Sequence, residues 1–253
     1  MPPTIAIIGG TGLTALDTLK ITHRETLSTP YGEPSSPLIH GELGGRAVVF
    51  LARHGPHHTL PPHRINYRAN LWALHRIGVQ RVIAVAAVGG IRDDMEPGVL
   101  AFPDQLVDYT WGRRCTFFED NLSQVTHIDF TEPYCGELRE RLIQAARALN
   151  LDARESCTYA AAQGPRLETA AEIRRMERDG CEIVGMTGMP EAALARELGL
   201  SYAACAVVAN RAAGKVPGEI TMAEIERNLI EGMNKAKTLL ARVIPMLDAA
   251  ASP

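Results

Sequence analysis

Short apolar runs of strand length alternate with longer segments of helical periodicity along most of this chain. That alternation restricts the fold to a largely parallel sheet covered by helices on both faces. The spacing predicts strands over 4–8, 47–52, 81–88, 156–161, 182–184 and 202–208, and helices over 65–76, 137–149, 170–179, 190–198 and 222–246. The last helix carries Ile225, Leu229, Met233, Ala236 and Leu240 on one stripe, at spacings of three and four that face a core. A chain of 253 residues is within reach of one large domain, so the expectation is a single three-layer α/β/α domain over 1–253 with a mixed, largely parallel central sheet. The one loose stretch, 28–37 (STPYGEPSSP), reads as an ordered surface loop.

A formal net charge of −3 gives no electrostatic reason to expect a nucleic acid or an anionic membrane as partner. The five cysteines are odd in number and form no CxxC pair, which fits reduced, buried thiols without a catalytic role. The opening MPPTIAIIGG has neither a basic n-region nor an apolar run long enough for a signal peptide or a membrane span, and a cytoplasmic protein is expected.

Chemistry gathers at a few places. Thr169-x-x-Glu172 and Thr221-x-x-Glu224 read as capping boxes, which put Glu168 just outside one helix and Met222 at the first position of another. Thr187 falls shortly before a helix expected to start at Pro190 and close at Gly199, and a helix N-terminus favours anions. The turn IAIIGGTGL exposes backbone amides able to cradle a phosphate. Its Gly10-x-Gly12-x-x-Ala15 also passes as a loose dinucleotide fingerprint, but a proline-rich loop follows instead of the helix, strand and acidic residue of a Rossmann unit. Arg53 and His54 end an apolar strand with donors suited to a phosphate dianion. His57, His58 and His63 invite a metal reading, yet no second ligand cluster stands at a zinc-like spacing, so none is expected.

A carboxylate at Glu168 can accept the N1–H of a 6-oxopurine while the Asn210 amide donates to O6, and a 6-aminopurine presents the reverse pattern. Each residue also has a plainer use. Glu168 can serve only the adjacent helix N-terminus, Asn210 can cap the turn after its strand, and Arg53 can pair with a carboxylate.

Taken together, GGTGL, ARHG with His58-Thr59 shortly after, NYRANLWAL, VGGI, GPRLETAAE and GMTGMPEAALARELG resemble, in order and over about residues 5–240, the trimeric purine nucleoside phosphorylase and methylthioadenosine phosphorylase family. The resemblance implies cleavage of a nucleoside by inorganic phosphate, giving a free base and a pentose 1-phosphate, in a homotrimer that needs no cofactor and has phosphate as co-substrate. Position by position it implies phosphate contacts from Thr11, Arg53, His54, Thr187 and the backbone of Ala86 and Ala87. It further implies a sugar contact from Met186, base contacts and leaving-group assistance from Glu168 and Asn210, and a reach by His127 into the neighbouring subunit's pocket.

The departures from the family pattern are informative. Methylthioadenosine enzymes carry threonine where this chain has Ala86, serine where it has Glu168, and two aspartates where it has Asn210 and Ala212. The base pocket therefore resembles that of the 6-oxopurine enzymes, while RHG and NYRANLWAL look closer to the methylthioadenosine branch. Inosine-cleaving members place a histidine near the 5′-hydroxyl. Across a one-residue gap this chain offers Met222, whose thioether suits a methylthio group, although a core role for Met222 is equally open. The combination implies phosphorolysis of 5′-methylthioinosine. The alternatives are a general inosine and guanosine phosphorylase, a methylthioadenosine phosphorylase, a hydrolase and, in other classes, an NAD-dependent reductase or a purine-binding regulator.

Overall fold

The computed structural model of the chain describes residues 4–13, 16–120 and 122–247. In chain order the elements are β1 (Ile5–Gly9), β2 (Lys20–Glu25), β3 (Leu38–Leu43), β4 (Arg46–Ala52), α1 (Tyr67–Arg76), β5 (Arg81–Gly90), β6 (Leu100–Ala101), β7 (Gln105–Asp108), α2 (Gly136–Ala148), β8 (Ala153–Arg154), β9 (Thr158–Ala161), α3 (Ala170–Arg178), β10 (Ile183–Gly185), α4 (Gly188–Glu197), β11 (Ser201–Arg211) and α5 (Met222–Val243). Among the described residues the strands form one sheet in the order β2-β3-β4-β1-β5-β10-β9-β7, with β11 beside β5 and β6, and β8 beside β6. β1 is parallel to β4 and β5, and β11 is parallel to β5. The β2-β3-β4 hairpins and the β10–β5 and β11–β6 pairs are antiparallel, so the sheet is mixed.

Side-chain alternation decides the layers. Ile5, Ile7, Val48 and Phe50 point to one side and pack with Leu142 of α2 and Leu229 and Leu240 of α5. Ala6, Ile8, Val49 and Leu51 point to the other and pack with Leu71 and Leu74 of α1 and Leu194 of α4. Both faces of the central strands are buried, and their near-continuous apolar runs were the legible signal.

Each strand and helix expected from the sequence is present, with ends shifted by up to about three residues. Five strands carry no such signal. β2, KITHRE, is exposed at nearly every position and owes its conformation to pairing with β3, while β6 and β8 are two residues long. β1 leads into this antiparallel hairpin and not into a helix and second parallel strand, which removes the Rossmann reading of the glycine turn; Ala15 of that pattern lies outside the described residues.

Thr169 and Glu172 form the expected two-way capping box, whereas at the second site only the Thr221 half forms, its hydroxyl accepting from the Glu224 amide at 3.3 Å. Met189 is extended (φ −119°, ψ 140°), so continuous helical geometry in α4 begins at Pro190. The 28–37 loop is fastened to its surroundings: the Asn66 amide donates to the Tyr31 carbonyl at 2.7 Å, the Ser35 N–H donates to Asn70 Oδ1 at 2.7 Å, and Ser36 Oγ accepts from the Ala52 N–H at 3.1 Å.

Candidate active site

The sheet opens where β5 changes neighbours. One edge of β5 is covered by β11 along its length. The other pairs with β1 only over Arg81–Ala84 and with β10 only at Gly89 and Gly90. From Val85 to Val88 that edge has no strand partner among the described residues, and a cavity of about 560 Å³ occupies the gap, a volume within the range of small-molecule sites. It lies beyond the carboxyl ends of β1, β4 and β11, the position a ligand takes in an open α/β sheet.

Of the residues singled out in the sequence, Thr11, Arg53, His54, Ala86, Ala87, Glu168, Met186, Thr187, Asn210 and Met222 all line this cavity. His127 does not. It is exposed on a segment between β7 and α2, away from the chain's own cavity.

Arg53 is 1% exposed and its fork is largely committed: Nε and Nη2 donate to the two carboxylate oxygens of Glu191 at 2.6 and 2.8 Å, and Nη1 donates to the Val85 carbonyl at 3.0 Å. Burial alone disfavours its charge, but the facing Glu191 carboxylate outweighs this and holds the guanidinium protonated. Arg53 therefore pairs with a carboxylate and lines the site at once. Three of its five N–H groups are used, which leaves two for an anion. The Val85 bond also satisfies a carbonyl exposed by the departure of β1. Glu191, fully buried on α4, takes a further hydrogen bond from Tyr202 Oη at 2.9 Å. It was missed as a functional residue because an acidic residue in the first turn of a helix has an ordinary reading.

Gly10 completes this corner: a Cβ there would stand 2.6 Å from the Val85 carbonyl oxygen and 3.0 Å from Arg53 Nη1, so only glycine lets β1 turn over the guanidinium.

His54 differs from its expected part as a donor to an anion. Burial, then the Arg53 charge, lowers it to about 4, so the ring is neutral near pH 7. Its Nδ1 is 2.8 Å from the Leu60 carbonyl and must carry the proton, leaving Nε2 as an acceptor. The Arg53–Glu191 pair is neutral as a unit. The anion end thus offers hydrogen bonds and the α4 N-terminus more than net charge, and Thr187, the α4 N-cap, spends no side-chain bond on capping.

At the other end, Glu168 sits just before the α3 N-cap, and burial raises its carboxyl above the usual carboxylate range. Asn210 is inside β11, not in a turn beyond it. Between Val208 and Asn210 the register with β5 shifts by one residue, and the freed Ala209 carbonyl accepts from Asn228 Nδ2 at 2.8 Å. Such a bulge re-aims a side chain. Asn210 Nδ2 donates to the Arg211 carbonyl at 2.7 Å, leaving one N–H and Oδ1 for a ligand, so it can donate to one base atom at a time.

Two loops carry Glu168 and Met186, and Arg113 joins them. Its Nη1 donates to the carbonyls of Met186 (2.9 Å) and Met189 (2.6 Å), and its Nη2 donates to that of Gln163 (2.8 Å). No local pattern around WGRRC signals this role. Gly164, at φ +62°, brings its Cα face against Met186, where a Cβ would lie 2.5 Å from Sδ. At the mouth, Met222 is 62% exposed and not a core residue; with Leu167, Ile220 and Ile225 it gives that end an apolar rim.

The histidines His57, His58 and His63 do not gather as a ligand set among the described residues. His58 instead lies tilted against His54, with ring centroids 4.5 Å apart and planes at 41°, and its Nε2 lies 3.5 Å from Thr11 Oγ1.

The family model described as the phosphorylase superfamily matches residues 4–245. The chain is 58% identical over 239 residues to a probable S-methyl-5′-thioinosine phosphorylase of Pseudomonas syringae pv. tomato, covering 94% of this chain and 97% of that protein. It is 44% identical over 250 residues to a 6-oxopurine nucleoside phosphorylase of Pyrococcus furiosus, covering 97% and 93%. Among solved structures, a methylthioadenosine phosphorylase from Schistosoma mansoni in complex with adenine superposes with a TM-score of 0.93 at 32% identity, covering 96% of this chain and 91% of that one.

Proposed function

The chain belongs to the phosphorylase superfamily and is a nucleoside phosphorylase, a pentosyltransferase, and from that premise we propose that it cleaves 5′-methylthioinosine with inorganic phosphate to hypoxanthine and 5-methylthioribose 1-phosphate. The observation that carries the reading is that one cavity is lined at once by Glu168 and Asn210, by Arg53 and Thr187, and by the exposed Met222.

As the glycosidic bond stretches, the ribosyl carbon becomes cationic and the purine anionic, and catalysis consists of groups placed for both charges. Phosphate, held by Thr11, the free N–H groups of Arg53, Thr187 and the backbone around Ala86 and Ala87, attacks the anomeric carbon and is also its counter-charge. His54 Nε2, an acceptor, suits a protonated phosphate oxygen or a sugar hydroxyl. The departing base takes the remaining Asn210 N–H at O6 or N7, while Glu168 accepts from N1–H. Met186 packs against the sugar and Met222 against the methylthio group, which leaves a 5′-hydroxyl without a partner. No protein nucleophile and no cofactor enters. In this reading the enzyme is a cytoplasmic homotrimer serving purine salvage, with His127 directed to a neighbour's cavity.

A panel of methylthioinosine, methylthioadenosine, inosine and adenosine, with and without phosphate, tests the proposal. Methylthioinosine with phosphate is expected to give the highest kcat/KM. A preference for inosine would favour the general 6-oxopurine reading, and full activity without phosphate a hydrolase. Glu168→Ser is expected to lower kcat/KM for 6-oxo substrates by roughly ten- to a hundredfold, the worth of one unpaired buried donor, and to spare 6-amino ones. Equal loss for both classes would remove Glu168 from base selection.

A further inference from the structure

β2 and β3 bring together a second group of chemistry-bearing side chains that does not line the nucleoside cavity. The register of β2 against β3 slips between Ile21 and His23, which sets His23 directly opposite His40. Glu25, two residues beyond His23, projects from the same face, because side chains alternate along a strand. The result is compact: the imidazoles stack with centroids 4.1 Å apart, His40 Nε2 lies 2.9 Å from Glu25 Oε2, and ligand atoms of all three residues lie within 4.8 Å of one another.

Burial is graded across the group. His40 is 8% exposed, Glu25 is intermediate and His23 is exposed, so one side is fixed in the protein and the other is open to water. We propose that His23, Glu25 and His40 bind a divalent transition-metal ion of the zinc type, with water completing its coordination, and pin the edge strand β2 to the sheet. Two imidazoles and one carboxylate with an open position suit zinc, while magnesium and calcium favour all-oxygen coordination, to which this group contributes a single carboxylate. The ion takes the place of the proton shared by His40 and Glu25, and exposed His23 turns toward it.

Metal-free protein titrated with zinc chloride in a calorimeter, alongside His23→Ala and Glu25→Gln, tests this. One zinc ion per chain is expected at this site. Its affinity should fall by roughly tenfold or more in each variant, its binding should raise the melting temperature of the wild type only, and magnesium should give no heat. Phosphorolysis by the metal-free variants should match that of the metal-free wild type, since none of the three residues lines the nucleoside cavity. Zinc affinity equal in wild type and both variants would place the ion elsewhere, at His54 and His58 for example, and overturn the proposal, as would absence of zinc binding.

Discussion

Glu191 determines what Arg53 can do. A lone buried guanidinium would be costly, and a carboxylate with both oxygens bonded to it fixes the plane of the fork while cancelling its charge. Glu191→Gln is expected to lower stability by about 3–5 kcal/mol, because it leaves the buried charge unmatched. It should also raise the KM for phosphate much more than the KM for nucleoside, as steady-state kinetics with each substrate varied will show; an unchanged phosphate KM would mean that Arg53 is purely structural. His54 makes a claim about pH. Its folded-state value of about 4 lies below the 6.5 of an unfolded histidine, so the unfolded chain binds a proton first. Stability is full above pH 6.5 and is lost as the pH falls from there through about 4, by about 3 kcal/mol for this residue at 1.36 kcal/mol per unit. His40 and His58, also lowered by burial, act in the same direction. Urea denaturation across this window should show a shallower decline for His54→Asn than for the wild type.

At the scale of elements, the site is a product of irregularities. β1 stops short, β5 keeps only β11 as a strand partner from Val85 to Val88 among the described residues, and β11 carries a bulge at Ala209, each of which removes a regular pairing and frees a backbone or side-chain group for the cavity. The loops after β9 and β10 have no hydrogen-bonded ladder to hold them in place. Arg113 supplies the connection through carbonyls on both. Lysine offers a point charge in place of a planar fork and cannot bridge the same set. Arg113→Lys is therefore expected to cost about 2 kcal/mol in a denaturant melt and to raise the nucleoside KM while leaving the phosphate KM close to wild type. An increase in both would assign Arg113 to the general packing of the domain. The α3 capping box does the same work locally, since it fixes the helix start next to Glu168.

For the molecule as a whole, the proposed trimer gives a distinct meaning to the segment that the single chain leaves outside its cavity. His127 is exposed there, as are Trp111 and Val125, at 73% and 72%. Under that proposal His127→Ala and Glu168→Ser damage different parts of composite sites. Refolding the two impaired variants together should then restore activity toward 6-oxo substrates in those sites that receive a wild-type residue from each chain. Light scattering should report three chains per particle, and mixtures no more active than the separate variants would mean that His127 does not serve a neighbour.

The legible part of the fold was the part in which each residue answers to its own neighbours in sequence. Apolar runs such as IAII and AVVFLA need burial on both faces and Thr169 and Glu172 satisfy each other's backbone groups, so the core strands and the helix starts could be read from the chain, while the family resemblance of motifs such as GPRLET pointed to eleven site positions, ten of which line the cavity. The exposed hairpin strand β2 left no such trace, because its conformation comes from hydrogen bonds to β3. Glu191 and Arg113 left none either. Arg53 stands 138 residues from Glu191, and the Gln163 and Met186 carbonyls stand 50 and 73 residues from Arg113; a charged side chain declares its role only when the fold has removed the water around it and chosen what it faces. Local sequence determined which surfaces had to be buried and which groups were available, whereas the neutralised arginine, the neutral histidine and the bulged asparagine were decided by tertiary structure, since pairing and desolvation are properties of the assembled environment.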